Sequence, residues 1–131
     1  MSPDRWQDHI DMYTVLRVTG DNTVTLTTAD AINAVSPGAI KPRHRNDGFA
    51  ATIIDSGEWR DHVRAIEAFV QAHRDLLADA TARGVSVQFD IAIEPEDRLA
   101  SAFTSVGCPP HLHRELGAIG AWLVFSWYTT D

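Results

Sequence analysis

Between Ser56 and Ile93 apolar and polar positions follow two successive rhythms, and the change of rhythm separates two elements. Trp59, Val63, Ile66, Val70, His73, Leu77 and Ala80 recur at steps of four and three, with Phe69 and Leu76 widening the stripe. That spacing belongs to a helix with one buried face. The opposite face carries Arg60, Asp61, Arg64, Glu67, Gln71, Arg74, Asp75 and Asp79. Asp55 or Ser56 is placed to cap the start, with Glu58 in the first turn, where negative charge suits the helix dipole. Gly84 stops the helix, because glycine takes the left-handed conformation without steric cost. The rhythm then shortens to two. Val85, Val87, Phe89, Ile91 and Ile93 point one way and Ser86, Gln88, Asp90 and Ala92 the other, which predicts a strand with one face under the helix.

The same reading covers the rest of the chain. Residues 1–11 form a loosely ordered N-terminal arm, with Trp6 and Ile10 as staples. A first strand runs from Met12 to Thr19 and ends in the turn residues Gly20-Asp21-Asn22. Thr23 to Leu26 extends that strand or makes a hairpin arm. A short helix capped by Thr27 or Thr28 then reaches Val35, with Ala31, Ile32 and Val35 inward, and Pro37-Gly38 stops it. After a loop to Gly48 comes a second strand, Phe49 to Asp55. Leu99, Phe103 and Val106 have helical spacing, cut short by Gly107-Cys108-Pro109-Pro110. Pro110 to Gly117 reads as a short helix, since proline suits a first turn, with Leu112, Leu116 and Ile119 inward. The last strand, Ala121 to Tyr128, is apolar on both faces and is expected in a central or covered position. The expected fold is a single α+β domain over residues 1–131: a four-stranded, largely antiparallel or mixed sheet with one long and two short helices on one face.

Several of these stretches resemble the landmarks of one family. Tyr13-Thr-Val-Leu-Arg17-Val-Thr-Gly20-Asp21 is similar to its opening strand and turn, and Leu26-Thr-Thr-Ala-Asp-Ala-Ile32 to its helix start. Trp59 ahead of the long helix and Phe125-Ser126-Trp127-Tyr128 at the end resemble its later landmarks. The family is the uncharacterised bacterial domain of unknown function 4279. The resemblance spans Tyr13 to Tyr128 and departs from the pattern between Glu94 and Pro110. It implies the fold and transfers no catalytic residue.

Composition narrows the function classes. The 131 residues suffice to bury a core, and 44% hydrophobic content fits a globular domain. A formal net charge of −7 disfavours nucleic acid and anionic membranes, both of which need clustered Lys and Arg. The one basic run, Lys41 to Arg45, is short. An acidic chain instead steers a basic protein partner. Cys108 is the only cysteine, so no intrachain disulfide exists and a reducing, cytoplasmic setting is expected. The first residues have neither signal-peptide nor membrane-span character.

Candidate chemistry is sparse. His62 and His73 lie in the apolar stripe of the long helix, eleven residues and about 16 Å of rise apart, too far to share a metal. Hydrogen-bonded core histidines are the expected outcome. Cys108, His111 and His113 have partial ligand spacing, but a zinc site wants about four converging ligands. On a helix the two histidines diverge. Cys108 sits on a turn and lacks an evident orienting carboxylate or oxyanion hole. Glu94, Glu96 and Asp97, with Asp90 nearby, read as a solvated acidic turn. No phosphate-cradling glycine motif is present. Neither a cofactor nor a metal is implied.

The far face of the sheet is the most informative feature. If Met12, Leu16 and Val18 pack under the helices, Tyr13 and Arg17 emerge opposite, with Gln88 and Asp90 from the third strand and Ser126 and Tyr128 (or Trp127) from the last. Trp122, Trp127 and Tyr128 on that one short strand point to binding, the alternative being that Trp122 or Trp127 fills the core. A polar and aromatic sheet face without a second helical layer meets water, a ligand or another chain. The expected function is a non-enzymatic, possible immunity-type interaction domain that binds a protein partner or a second copy of itself through these residues. The competing reading is a small-molecule enzyme with a pocket between sheet and long helix, built on His62 or His73.

Overall fold

The computed structural model describes residues 10–40, 48–95 and 107–127. Its element order is β1 (Ile10–Thr19), α1 (Asn22–Val35), β2 (Gly48–Ile54), α2 (Trp59–Ala82), β3 (Ser86–Pro95), α3 (Pro110–Ile119) and β4 (Trp122–Trp127). The expectations for Trp6, Lys41–Arg45, Glu96–Asp97, Leu99, Phe103, Val106 and Tyr128 lie outside the described residues, as do those for the side chains of Ile10 and Glu94.

The sheet is mixed, in the order β2-β1-β3-β4. β1 is antiparallel to β2 and to β3, whereas β3 and β4 are parallel. Parallel neighbours need a crossover, and α3 supplies it between β3 and β4. α2 links β2 to β3 across β1. The core forms where one sheet face meets these helices: Leu16, Val18, Val87, Phe89, Ile91 and Ile93 from the sheet, Ile32 from α1, Ile66, Val70 and Leu77 from α2, and Leu112 and Ile119 from α3.

α2 follows the stripe with two changes. Its buried positions are His62, Val63, Ile66, Val70, His73, Leu77 and Ala80, while Trp59 is half-buried at the first turn. The cap is Glu58 rather than Asp55 or Ser56, and its backbone N–H donates to Asp61 Oδ2 at 2.9 Å. At the other end Gly84, with φ +89°, donates to Thr81 O, and Val85 N–H reaches Ala80 O. This pair of bonds satisfies carbonyls that the last turn leaves open.

α1 differs more. It begins at Asn22, so Thr23 to Leu26 is helix rather than strand or hairpin, and Asp21 is the cap through its carboxylate and Val24 N–H. The threonine-rich sequence suggested a strand because β-branched residues favour one. Here the hydroxyls of Thr25, Thr27 and Thr28 donate to Asn22 O, Thr23 O and Val24 O. Such back-bonding lets Thr25 and Thr28 be buried beside Ala29 and Ile32. Of the residues expected inward, Ile32 is buried, Ala31 is half-buried and Val35, at the helix end, is 63% exposed.

β4 is also corrected. Its apolar run suggested a central position, yet it is an edge strand. Leu123 and Phe125 pack on the core, while Trp122 and Trp127 are 65% and 52% exposed. The central strands are β1 and β3. Among the described residues no helix is long and apolar enough to cross a membrane.

Candidate binding face

Strand alternation and register together build the far face in rows. Tyr13 pairs with Ala92 and Ala92 with Ser126; Val15 pairs with Asp90 and Asp90 with Val124; Arg17 pairs with Gln88 and Gln88 with Trp122. Side chains at these positions share the face opposite Leu16, Phe89 and Leu123. The structure therefore brings together five of the six residues expected there: Tyr13, Arg17, Gln88, Asp90 and Ser126. Trp122 stands with them, as expected, whereas Trp127 alternates to the side of Leu123 and Phe125.

Asp90 is the centre of the cluster and is 7% exposed. A carboxylate so far from water needs donors on both oxygens. Ser126 Oγ donates to Oδ1 at 2.7 Å and Arg17 Nε donates to Oδ2 at 3.3 Å, each from a diagonal position on a neighbouring strand. Arg17 keeps 41% of its side chain in solvent, so its outer edge stays available to another molecule. Trp122, beside Gln88, projects a largely bare indole.

The histidines have other duties. His62 is fully buried, and its Nδ1 lies 2.7 Å from Thr14 Oγ1, which ties α2 to β1. Nε2 has no hydrogen-bond partner. Burial pushes the pKa of His62 down, with the Gly57 carbonyl, the Asp61 charge and the Ser56 carbonyl opposing in part. His73 is 3% exposed, stacks against Phe69 with ring centroids 4.6 Å apart, and places Nε2 3.3 Å from Ser36 Oγ, which ties α2 to α1. Burial lowers its pKa as well. Both imidazoles are accordingly neutral at neutral pH. Thr14 and Ser36 escaped the sequence reading, although Thr14 stands at an inward position of an otherwise apolar strand face and could have signalled a buried polar partner.

Cys108 is half-buried, and burial raises its thiol pKa, the opposite of an activated nucleophile. His111 does not turn toward it. Its Nε2 lies 2.6 Å from Glu67 Oε1, part of the α2–α3 seam together with the Arg74–Glu115 ion pair and the Thr81 hydroxyl on Ile119 O. Among the described residues no three His, Cys, Asp or Glu side chains are grouped to hold a metal ion.

Fold and face together define a class: a mixed-sheet α+β protein with one helical layer and, among the described residues, a sheet face carrying polar and aromatic side chains. Comparison of the chain with protein-family models, with curated proteins and with solved structures gives no match.

Proposed function

We propose that this chain is a non-enzymatic protein-binding domain that engages a basic partner through the far face of its sheet, in an immunity-type, neutralising role. The observation that carries the reading is Trp122, 65% exposed beside Gln88 and next to an Arg17–Asp90–Ser126 cluster already fixed by its own hydrogen bonds. Exposed aromatics and arginine are enriched where proteins meet, and a preorganised polar group loses little entropy on binding. The net charge of −7 favours a basic partner in the encounter. Membership in domain of unknown function 4279 is proposed on the same footing, from the motifs between Tyr13 and Tyr128. Of the two histidines on which the enzyme reading is built, His62 is fully buried and tied to Thr14 between α2 and β1.

A photocrosslinking amino acid at Gln88, introduced in cells that naturally make the protein, tests the face. The expected product is a salt-sensitive adduct with one basic protein, lost when Trp122 is also changed to alanine. Arg17 is left intact because it neutralises Asp90. Crosslinks only to a second copy of this chain, or crosslinks unaffected by Trp122→Ala, overturn the proposal.

A further inference from the structure

Among the described residues the sheet has two edges, β2 and β4, each hydrogen-bonded to a neighbouring strand on one side only. Folded proteins guard such edges with charged side chains, prolines or bulges, because a bare row of N–H and C=O groups offers itself to another strand. β2 has a guard of this kind. Its register against β1 slips between Thr14 and Val15, so that Thr14 meets Ile54 while Val15 meets Thr52. The slip breaks the straight edge. β4 has no guard. Its sequence, Trp122-Leu-Val-Phe-Ser-Trp127, holds neither charge nor proline, and its register against β3 is unbroken from Gln88–Trp122 to Ile93–Trp127.

The side chains of β4 point the same way. Leu123, Phe125 and Trp127 alternate to the helical side, where Phe125 packs against Trp59 with ring centroids 5.5 Å apart. Leu123 and Phe125 reach the core, but Trp127 ends the row largely bare. A second copy of β4 supplies the cover. Run antiparallel about a two-fold axis at Phe125, perpendicular to the sheet, it sets Leu123 opposite Trp127, Phe125 opposite Phe125 and Val124 opposite Ser126. Directly opposed residues share a face and touch, so each Trp127 lies against Leu123 of the other copy. An axis at Val124 instead sets Trp127 against Ala121, a much smaller surface. No charged residue lies in β4 to repel its own copy, and the ionised groups behind it, Arg17 and Asp90, are already paired. With β2 guarded, the contact is isologous and closes at two copies.

We propose that a second copy of this chain pairs edge to edge with β4, antiparallel about Phe125, and joins two four-stranded sheets into one. The contact uses the strand edge and Trp127, leaves Trp122 on the far face, and does not depend on the protein-binding reading of that face.

Six residues a side make a small contact, so the dimer is weak, with a Kd on the order of 100 μM. Sedimentation of the purified full chain, kept reduced and followed from about 10 to 500 μM, tests it. The expected result is a reversible dimer that tightens about threefold or more as salt rises from about 0.05 to 0.5 M, because screening weakens the repulsion between two chains of net charge −7. That sign is opposite to the one expected for a basic partner on the far face. In a mixture of isotope-labelled and unlabelled chains, the Leu123 methyl groups should show nuclear Overhauser contacts to the Trp127 indole of the other copy. Trp127→Lys, which puts a charge at an exposed edge position, should abolish the dimer with Tm little changed, whereas Trp122→Ala should weaken it far less. A chain that stays monomeric throughout, a dimer loosened by salt, no Leu123–Trp127 contact between copies, or a dimer that survives Trp127→Lys or is lost equally with Trp122→Ala overturns the proposal.

Discussion

The hydroxyl of Thr14 and Nδ1 of His62 meet 2.7 Å apart, both side chains fully shielded from solvent. This contact is the polar pin through which the long helix α2 is registered on the central strand β1. Thr14→Val keeps the shape and removes the hydroxyl that meets the His62 ring. It should lower the unfolding free energy by about 1–3 kcal/mol, the cost of an orphaned buried polar group. Urea unfolding measures it, and a loss below about 0.5 kcal/mol would show that the pin contributes little.

Acid should weaken the same helix. His62 and His73 both have folded-state pKa values below the ordinary 6.5, because burial disfavours their charged forms. The unfolded chain then binds protons that the folded chain does not, so stability is full above about pH 6.5 and falls as pH drops toward the folded-state values. Each histidine contributes at most about 1.4 kcal/mol per pH unit in that window. Tm measured from pH 7.5 to 5.5 should decline below about 6.5, and His73→Phe should make the decline shallower. A profile that stays flat through this range contradicts the assignment.

On the far face, Asp90→Ala and Ser126→Ala should differ. Removing Asp90 leaves Ser126 and Arg17 without their shared acceptor and costs about 1–3 kcal/mol. Removing the Ser126 hydroxyl leaves Asp90 its Arg17 contact and costs about 1 kcal/mol. Equal losses would mean that Arg17 and Ser126 do not share the carboxylate as described.

Gly48 opens β2 with φ +152°, and a Cβ there would lie 2.1 Å from Val18 O, a backbone atom that cannot step aside. Gly48→Ala should therefore cost at least about 2 kcal/mol, through displaced β1–β2 pairing. Chemical denaturation gives the value; a loss within about 0.5 kcal/mol would refute the close approach.

The chain's local rhythms alone specified much of this molecule. The four-three spacing of Val63, Ile66, Val70, His73, Leu77 and Ala80 wrote α2, and the alternation from Val85 to Ile93 wrote β3, because helix and strand periods differ and each buries one face. The same alternation put Tyr13, Arg17, Gln88, Asp90 and Ser126 on one side of their strands. Strand order is another matter. The apolar run of β4 read as interior because local pattern cannot distinguish a strand covered by neighbours from an edge strand whose apolar residues stay half-exposed. The start of α1 was misread because threonine's strand preference is weaker than an Asp21 cap with hydroxyls bonded back to the helix. Nor could the chain's order reveal that Thr14 meets His62, Ser36 meets His73, or Ser126 meets Asp90. Those pairs are 48, 37 and 36 residues apart, and contacts at such separations exist only once the sheet has closed and the helices have packed on it.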